Sequence, residues 1–218
     1  MQPAWHEAPG GARLQLWPQK AAFDPDQRLL LVADAHLGKA VSFRRLGVPV
    51  PGGTTAEALA RLDQLIQATA PREIVFLGDL LHSVRAQGSA ALAAVAAWRT
   101  RHAGLTLTLV RGNHDRHAGD PPAALGVQVV DGPVTRGPWA LAHEPARRAG
   151  TTVLAGHVHP GVVLDGRGRD RLRLPCFHFS PGLGVLPAFG PFTGLHVLPR
   201  AHGDRVYAVA DDRVLALG

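Results

Sequence analysis

The sequence predicts an α/β fold, and three observations lead to it. Three short apolar runs, each the length of a buried strand, alternate with two segments of helical periodicity. Short links join these segments, and this arrangement is typical of a parallel sheet. The second half of the chain has many short strand-like runs and few helical patterns. We therefore expect a second sheet there, either mixed or mostly antiparallel.

The individual elements follow from apolar runs and from the residues that break them. In the first half we expect strands at Arg13–Leu16, Arg28–Ala33, Glu73–Leu77 and Leu105–Val110. One helix begins with Thr54 or Thr55 as its cap and ends at Pro71, and an alanine-rich helix runs from Ser89 to about Arg101. In the second half we expect strands at Val127–Val130, Trp139–His143, Thr151–Ala155, Val162–Leu164, Leu172–Phe179, Leu195–Leu198 and Val206–Val209.

The composition is that of a globular protein. Of its 218 residues, 46% are hydrophobic and 18% are charged, which excludes a disordered chain and permits a sizeable core. The single cysteine, Cys176, excludes an internal disulfide and fits a reducing compartment. The sequence contains neither a signal-peptide pattern nor an apolar run of about 18 residues. We expect a cytoplasmic protein without membrane contact, folded as one domain over residues 1–218.

The net charge is +6, from 23 basic and 17 acidic residues, and all but two of the basic residues are arginine. Arginine makes bidentate contacts with phosphate, so the excess favours a polyanionic partner. A compositional bias of the whole genome explains the excess equally well.

Residues that bind metal ions follow five of the predicted strands. They are Asp34, His36, Asp79, Asn113, His143, His157 and His159. The carboxyl ends of strands in an α/β sheet form the usual binding crevice, so we expect one shared site. Asp and His suit borderline divalent metals. The i, i+2 spacing in Asp34/His36 and in His157/His159 directs both side chains of a pair the same way if the chain there is extended.

Seven ligands are too many for one tetrahedral ion and suit two ions about 3.5–4 Å apart that share a carboxylate. Asp79 is the candidate bridge, because its strand lies between the other two in sequence. Two such ions activate a water for in-line attack at phosphorus, so no Ser or Cys nucleophile is needed. A general acid must protonate the leaving alkoxide, and His114, next to a predicted ligand, is our candidate.

Five further residues near these motifs are candidates for substrate binding. They are Lys39, Arg44, Arg45, His82 and Arg147. A role as solvated surface residues, or as residues that support the ligands from behind, accounts for each of them as well.

The order of the motifs resembles that of a known superfamily. DAH, GD, GNHD, a lone His and GHVH, in this order, resemble the calcineurin-like metallophosphoesterases. The resemblance implies a four-layer α/β/β/α sandwich of two mixed sheets. It also implies one ion held by Asp34, His36, Asp79 and His159, another held by Asp79, Asn113, His143 and His157, and His114 as the acid. One departure is His82, where many members carry an acidic residue.

A narrower resemblance covers nearly the whole chain. HLGKAVSFRRLGVPVPGGTT, FLGDLLHS and LPAFGPFTG resemble the bacterial PdeM family, the ligase-associated DNA damage response endonucleases. This resemblance implies cleavage of phosphodiester bonds in DNA, in a repair context. It further implies two divalent ions, with Mn²⁺ first and Fe or Zn as alternatives, and a functional association with a DNA ligase and a helicase.

Two other functions remain open on the sequence alone. One is hydrolysis of a small nucleotide or a lipid-linked pyrophosphate or phosphodiester, although the chain has no amphipathic lid to favour a lipid. The other is a non-catalytic scaffold on the same fold. A scaffold has no physical need for seven convergent ligands, which counts against that function.

Overall fold

The computed structural model describes residues 2–40, 43, 47, 53–81, 90–166 and 170–217. Three candidate substrate-binding residues, Arg44, Arg45 and His82, lie outside these ranges, as does Ser89 at the predicted start of the second helix.

A seven-stranded sheet occupies the first part of the chain. Its strands are β1 (Ala4–Glu7), β2 (Arg13–Trp17), β3 (Ala21–Asp24), β4 (Leu29–Val32), β5 (Glu73–Phe76), β6 (Thr106–Val110) and β7 (Val127–Val130). They lie side by side in chain order. Strands β1 to β4 pair antiparallel, whereas β4 to β7 pair parallel. The predicted parallel sheet is therefore one half of a mixed sheet.

Three α-helices have described bounds, and they are α1 (Thr54–Thr69), α2 (Ala90–Arg101) and α3 (Asn113–Ala118). A short 3-10 helix covers Ala123–Leu125. The predicted threonine cap of α1 is wrong, because Gly53 holds the cap position and no side chain caps the helix. Thr54 is instead the first helical residue, and the Thr55 hydroxyl accepts a hydrogen bond from the Gly38 amide at 3.3 Å. None of the described helices is long and apolar enough to cross a membrane.

A second, nine-stranded sheet follows. Its strands are β8 (Val134–Arg136), β9 (Trp139–Leu141), β10 (Thr152–Ala155), β11 (Pro160–Asp165), β12 (Arg171–Ser180), β13 (Leu183–Val185), β14 (His196–Val197), β15 (Arg205–Ala210) and β16 (Arg213–Leu217). Strand β10 lies between β9 and β13 and is parallel to both. Most of the other pairs are antiparallel. This sheet is mixed, as predicted.

The alternation of side chains along β4 shows how the layers pack. Leu30 and Val32 face α1 and α2, in a core with residues from both helices. Leu29 and Leu31 face the other way, in a core with Trp139 and other large residues of the second sheet. The two sheets therefore pack face to face, and the α/β class with two mixed sheets is confirmed.

The outer face of the second sheet carries small buried side chains, those of Ala140, Val153 and Ala155. Among the described residues, α1 and α2 pack on the first sheet. The carboxyl ends of β4, β5, β6, β9 and β10 meet at one edge of the two sheets, and the loops that follow them build the site.

Candidate metal centre

Loops after five strands bring all seven predicted ligands to this edge. The two carboxylates lie deepest, since Asp34 is 0% exposed and Asp79 is 2% exposed. His36 and His143 are also buried, whereas His157 is exposed at the mouth of the site. The predicted placement at strand ends therefore agrees with the structure.

One group of ligand atoms surrounds Asp34. The Nε2 atom of His159 lies 3.7 Å from Asp34 Oδ1, and Nε2 of His36 lies 3.8 Å from Asp79 Oδ2. Ligand atoms of Asp34, His36 and His159 all lie within 4.8 Å of one another. Metal–ligand bonds of about 2.0–2.2 Å place adjacent ligands about 3–3.5 Å apart, so a modest contraction brings this group around one ion.

A second group surrounds the Nε2 atom of His143. This atom lies 2.8 Å from Asn113 Oδ1 and 3.0 Å from Nδ1 of His157. Asp79 Oδ1 lies 3.6 Å away. Each of these three distances is close to the separation of about 3–3.5 Å between neighbouring ligands of one ion.

The hydrogen-bond pattern fits a cation between these atoms. Nδ1 of His143 donates to the Leu77 carbonyl at 3.0 Å, so the neutral ring carries its lone pair at Nε2. That lone pair faces the carbonyl oxygen of the Asn113 side chain, an acceptor opposite an acceptor. Asp34 Oδ1 is buried and accepts no hydrogen bond from any described residue. Buried acceptors that converge without a donor are the arrangement that a metal ion satisfies.

The two carboxylates stand between the groups. Asp79 presents Oδ2 to His36 and Oδ1 to His143, one oxygen to each group. Asp34 also borders both groups, but with a single oxygen, since its Oδ1 lies 3.7 Å from Nε2 of His159 and 3.8 Å from Nδ1 of His143. The orientation of Asp79 is the one expected of a bridging carboxylate.

The protein alone does not favour the charged form of Asp79. Burial raises the pKa of this carboxyl, nearby His143 partly opposes the shift, and the negative charge of Asp34 raises the pKa further. Two close, buried carboxylates repel each other unless a cation lies between them. Divalent ions here would stabilise both as carboxylates.

Five of the predicted ligands adopt an unusual backbone conformation. Ten described non-glycine residues have positive φ, and half of them are Asp34, His36, Asp79, His157 and His159. Such residues cost about 1–3 kcal/mol each and cluster at functional sites. The side chains of the two i, i+2 pairs do converge, but the expected cause, an extended chain, is wrong. These side chains converge because the backbone turns sharply at each ligand.

A comparison with solved structures finds a protein that resembles this chain along its whole length. The crystal structure of the Pseudomonas putida nuclease MPE is 46% identical in sequence and superposes with a TM-score of 0.86. The match covers 99% of this chain and 100% of that chain. The chain belongs to the family of this nuclease. It is thus a metallophosphoesterase, a metal-dependent hydrolase of phosphoesters.

A second solved structure, of the phosphoesterase YfcE from E. coli, is 16% identical with a TM-score of 0.39, over 86% of this chain and 96% of that chain. This likeness is too low to carry an argument. No family model matches the chain, and no curated protein does.

Two glycines of this metallophosphoesterase leave the space that the ligands occupy. A Cβ at Gly78, whose φ is +82°, would lie 2.0 Å from Nδ1 of His143. A Cβ at Gly112 would lie 2.3 Å from Asp79 Oδ1. Glycine precedes Asp79 and Asn113 in the sequence because a larger residue at either position would collide with a predicted ligand from a neighbouring motif.

Asp115 is the functional residue that sequence reasoning missed. Its carboxylate is 1% exposed and accepts three backbone amides, from Asp79 at 2.7 Å, Gly112 at 2.9 Å and Leu80 at 3.0 Å. Asp115 therefore fixes the loop that carries Asp79. The GNHD motif contained this residue, but a sequence does not show which amides a carboxylate will meet.

His114 lies at the mouth of the metallophosphoesterase site. Its amide donates to Asp79 Oδ1 at 3.0 Å, and its ring stands at right angles to that of His36, with centroids 5.2 Å apart. The side chain is exposed. A ring at this position can approach a group that leaves from a phosphorus at the metal centre.

Lys39 and Arg147 are the candidate substrate-binding residues within the described ranges. Lys39 is half-buried, and burial lowers the pKa of its amine while Asp79 and Asp34 oppose that shift. It therefore lies near the two carboxylates. Arg147 is exposed and donates to the Ser180 hydroxyl at 3.0 Å and the Pro181 carbonyl at 3.2 Å. Its guanidinium is thus directed at the turn between β12 and β13.

Proposed function

We propose that this metallophosphoesterase is a nuclease that hydrolyses phosphodiester bonds in DNA with two divalent metal ions. The observation that carries the proposal is the convergence of two carboxylates, one amide and four imidazoles, with acceptor facing acceptor, at one edge of the sheets. The 46% identity with a nuclease over the whole chain supports nucleic acid as the substrate class.

The distances support the ligand sets that the sequence predicts. Asp34, His36, Asp79 and His159 hold one ion, and Asp79, Asn113, His143 and His157 hold the other. We propose Mn²⁺, while Fe and Zn suit the same N and O donors. When bound, such ions polarise the phosphoryl group and lower the pKa of the attacking water.

The residues of the chain supply the remaining steps. Lys39 offers its ammonium to a non-bridging oxygen of the phosphate. Asp115 holds the Asp79 loop in place through three amides. A ring N–H of His114 protonates the ester oxygen that leaves as the P–O bond breaks, so that the product departs as an alcohol.

The biological setting is also part of the proposal. Membership of the PdeM family, action in DNA repair, association with a DNA ligase and a helicase, a cytoplasmic location and a single-domain chain remain predictions from the sequence motifs. Co-purification of the tagged protein with the ligase and helicase, compared with the Asp79→Asn variant, tests the association.

A substrate panel with metal titration tests the activity. We expect Mn²⁺-dependent cleavage of single- or double-stranded DNA, and loss of that cleavage in Asp79→Asn. Turnover of a dinucleotide or lipid pyrophosphate without cleavage of either DNA would overturn the proposal. Failure of the protein to bind metal near two ions per chain would do so as well.

A further inference from the structure

A cavity of about 380 Å³ adjoins the metal centre and shares a wall with it. Asn113 and His143, both in the proposed second ligand set, form part of this shared wall. Four arginines also line the cavity, which we call the arginine cavity, and they are Arg111, Arg116, Arg147 and Arg148. Its volume lies within the range of about 300–1,000 Å³ that small-ligand sites occupy.

The lining is strongly basic. Glu144 is the one acid among the described lining residues, against four guanidinium groups. Arg111 is committed to the fold, since it donates to Asp120 at 3.0 and 3.1 Å and to Asp131 at 2.6 Å. Arg111 therefore forms a fixed wall and contributes little net charge.

Arg116 and Arg148 differ from Arg111 because both are exposed and weakly engaged. Arg116 has one long contact, at 3.4 Å to Asp131. Arg148 makes no hydrogen bond or ion pair with any residue in the described ranges. Their N–H groups are thus available to an anion that enters the cavity. Guanidinium groups bind phosphate with paired N–H donors, better than a point charge does.

We propose that the arginine cavity binds the phosphate next to the scissile phosphodiester of a nucleic acid strand, through Arg116 and Arg148. The inference rests on the proposed function, because the scissile group must lie at the metal centre. A strand with its scissile group between Asp79 and His114 passes Asn113 and His143 to reach these arginines. A small diester with a single phosphate does not extend that far.

Short substrates that differ by one phosphate test this subsite. We would compare a thymidine dinucleotide, whose single phosphodiester reaches only the metal centre, with the same dinucleotide carrying a further phosphate at its 5′ or 3′ end. We expect one of the two added phosphates to raise kcat/KM by about tenfold, the scale of charge-assisted hydrogen bonds. The Arg116→Gln/Arg148→Gln variant should lose that gain.

Arg101→Gln is the matched control, since Arg101 is an exposed arginine at the end of α2, where the chain enters β6 at its amino end, remote from the metal centre. It should retain the full gain. Binding of a single-stranded oligonucleotide to metal-free protein gives a second readout. The slope of log K against log salt should decrease by about 0.7 for each lost phosphate contact in the double variant, and should not change in the control.

The outcomes distinguish failure of the subsite from failure of the nuclease proposal. If wild-type protein cleaves all the dinucleotides and the double variant keeps both the gain and the salt slope, the subsite is overturned while the nuclease proposal stands. If the wild-type protein cleaves other phosphoesters but none of the dinucleotides or longer DNA, the nuclease proposal fails, and this inference fails with it.

Discussion

His114 and Asp115 are neighbours in the chain and have opposite environments. Asp115 is buried under three backbone amides, whereas His114 is exposed at the mouth of the site. Helix α3 produces this difference, because consecutive residues at its first turn point about 100° apart. One short motif therefore supplies both the residue that fixes the Asp79 loop and the proposed acid.

We expect His114→Ala to lower kcat on DNA by about 10²–10⁴-fold, the range for loss of a general acid. With bis-p-nitrophenyl phosphate the loss should be at least tenfold smaller, because that leaving group departs as a stable anion. Steady-state kinetics on both substrates measure the difference. His202→Ala, an exposed histidine in a distant turn, is the control. Full DNA turnover by His114→Ala would exclude the acid role.

Asp115→Ala removes the acceptor of three buried amides. Each unsatisfied buried donor costs about 1–3 kcal/mol, so we expect the free energy of unfolding to fall by at least about 2 kcal/mol. Mn²⁺ affinity should fall by about 10–100-fold, as for other residues that support ligands from behind. Urea unfolding of the metal-free protein and calorimetric Mn²⁺ titration measure the two effects. Unchanged metal affinity would contradict the positioning role.

At the scale of elements, long apolar strands and helices could be predicted from sequence, whereas several short strands could not. The strand at Ala21–Asp24 is AAFD, with two alanines and an aspartate that have little preference for strands. It is buried because it pairs with β2 and β4 and because Asp24 accepts the indole N–H of Trp139 at 2.6 Å. Those contacts are tertiary, and local periodicity does not contain them.

In the loops that carry the proposed ligands, too, some features could be predicted from sequence and others depend on tertiary contacts. The sequence shows which strand ends carry the proposed ligands, because apolar runs stop at Asp, Asn and His. The left-handed backbone of Asp34 or His36 was not readable, since neither residue type requires it. The tight packing of one motif against another sets these angles, and the motif glycines permit that packing.

Gly78→Ala tests this packing. The new Cβ would meet the His143 ring, which it must displace, so we expect at least a 100-fold loss of activity and weaker binding of the second ion. Gly203→Ala is the matched control, because Gly203 also has positive φ, +89°, but nothing within 4 Å of a Cβ. Both variants should lose about 1 kcal/mol of stability from the backbone alone. Equal activity in the two variants would refute the packing argument.

At the scale of the whole molecule, two sheets pack face to face over a shared apolar core. The buried carboxyl groups of Asp34 and Asp79 lie at one edge of these sheets. Burial there raises the pKa of Asp79. The folded, metal-free protein therefore binds this proton more tightly than the unfolded chain does. Its free energy of unfolding should fall as pH rises from the ordinary aspartate pKa through the raised value, and should remain lower above it.

Asp79→Asn isolates this effect, since it keeps the shape and removes the charge. Relative to that variant, metal-free wild-type protein should lose stability as pH rises through the window, by urea unfolding at several pH values. Excess Mn²⁺, at a concentration 100-fold above Kd, should raise the free energy of unfolding of the wild-type protein by about 2.7 kcal/mol. It should raise that of the variant by less. A wild-type protein that gains stability relative to the variant with rising pH would contradict the account.

The proposed site consists of seven side chains that hold two metal ions bridged by Asp79. Anomalous diffraction from crystals of the Mn²⁺-loaded protein locates such ions without reference to activity. We expect two anomalous peaks about 3.5–4 Å apart, one on each side of the Asp79 carboxylate. A single peak, or two peaks away from Asp34, Asp79 and His143, would contradict it.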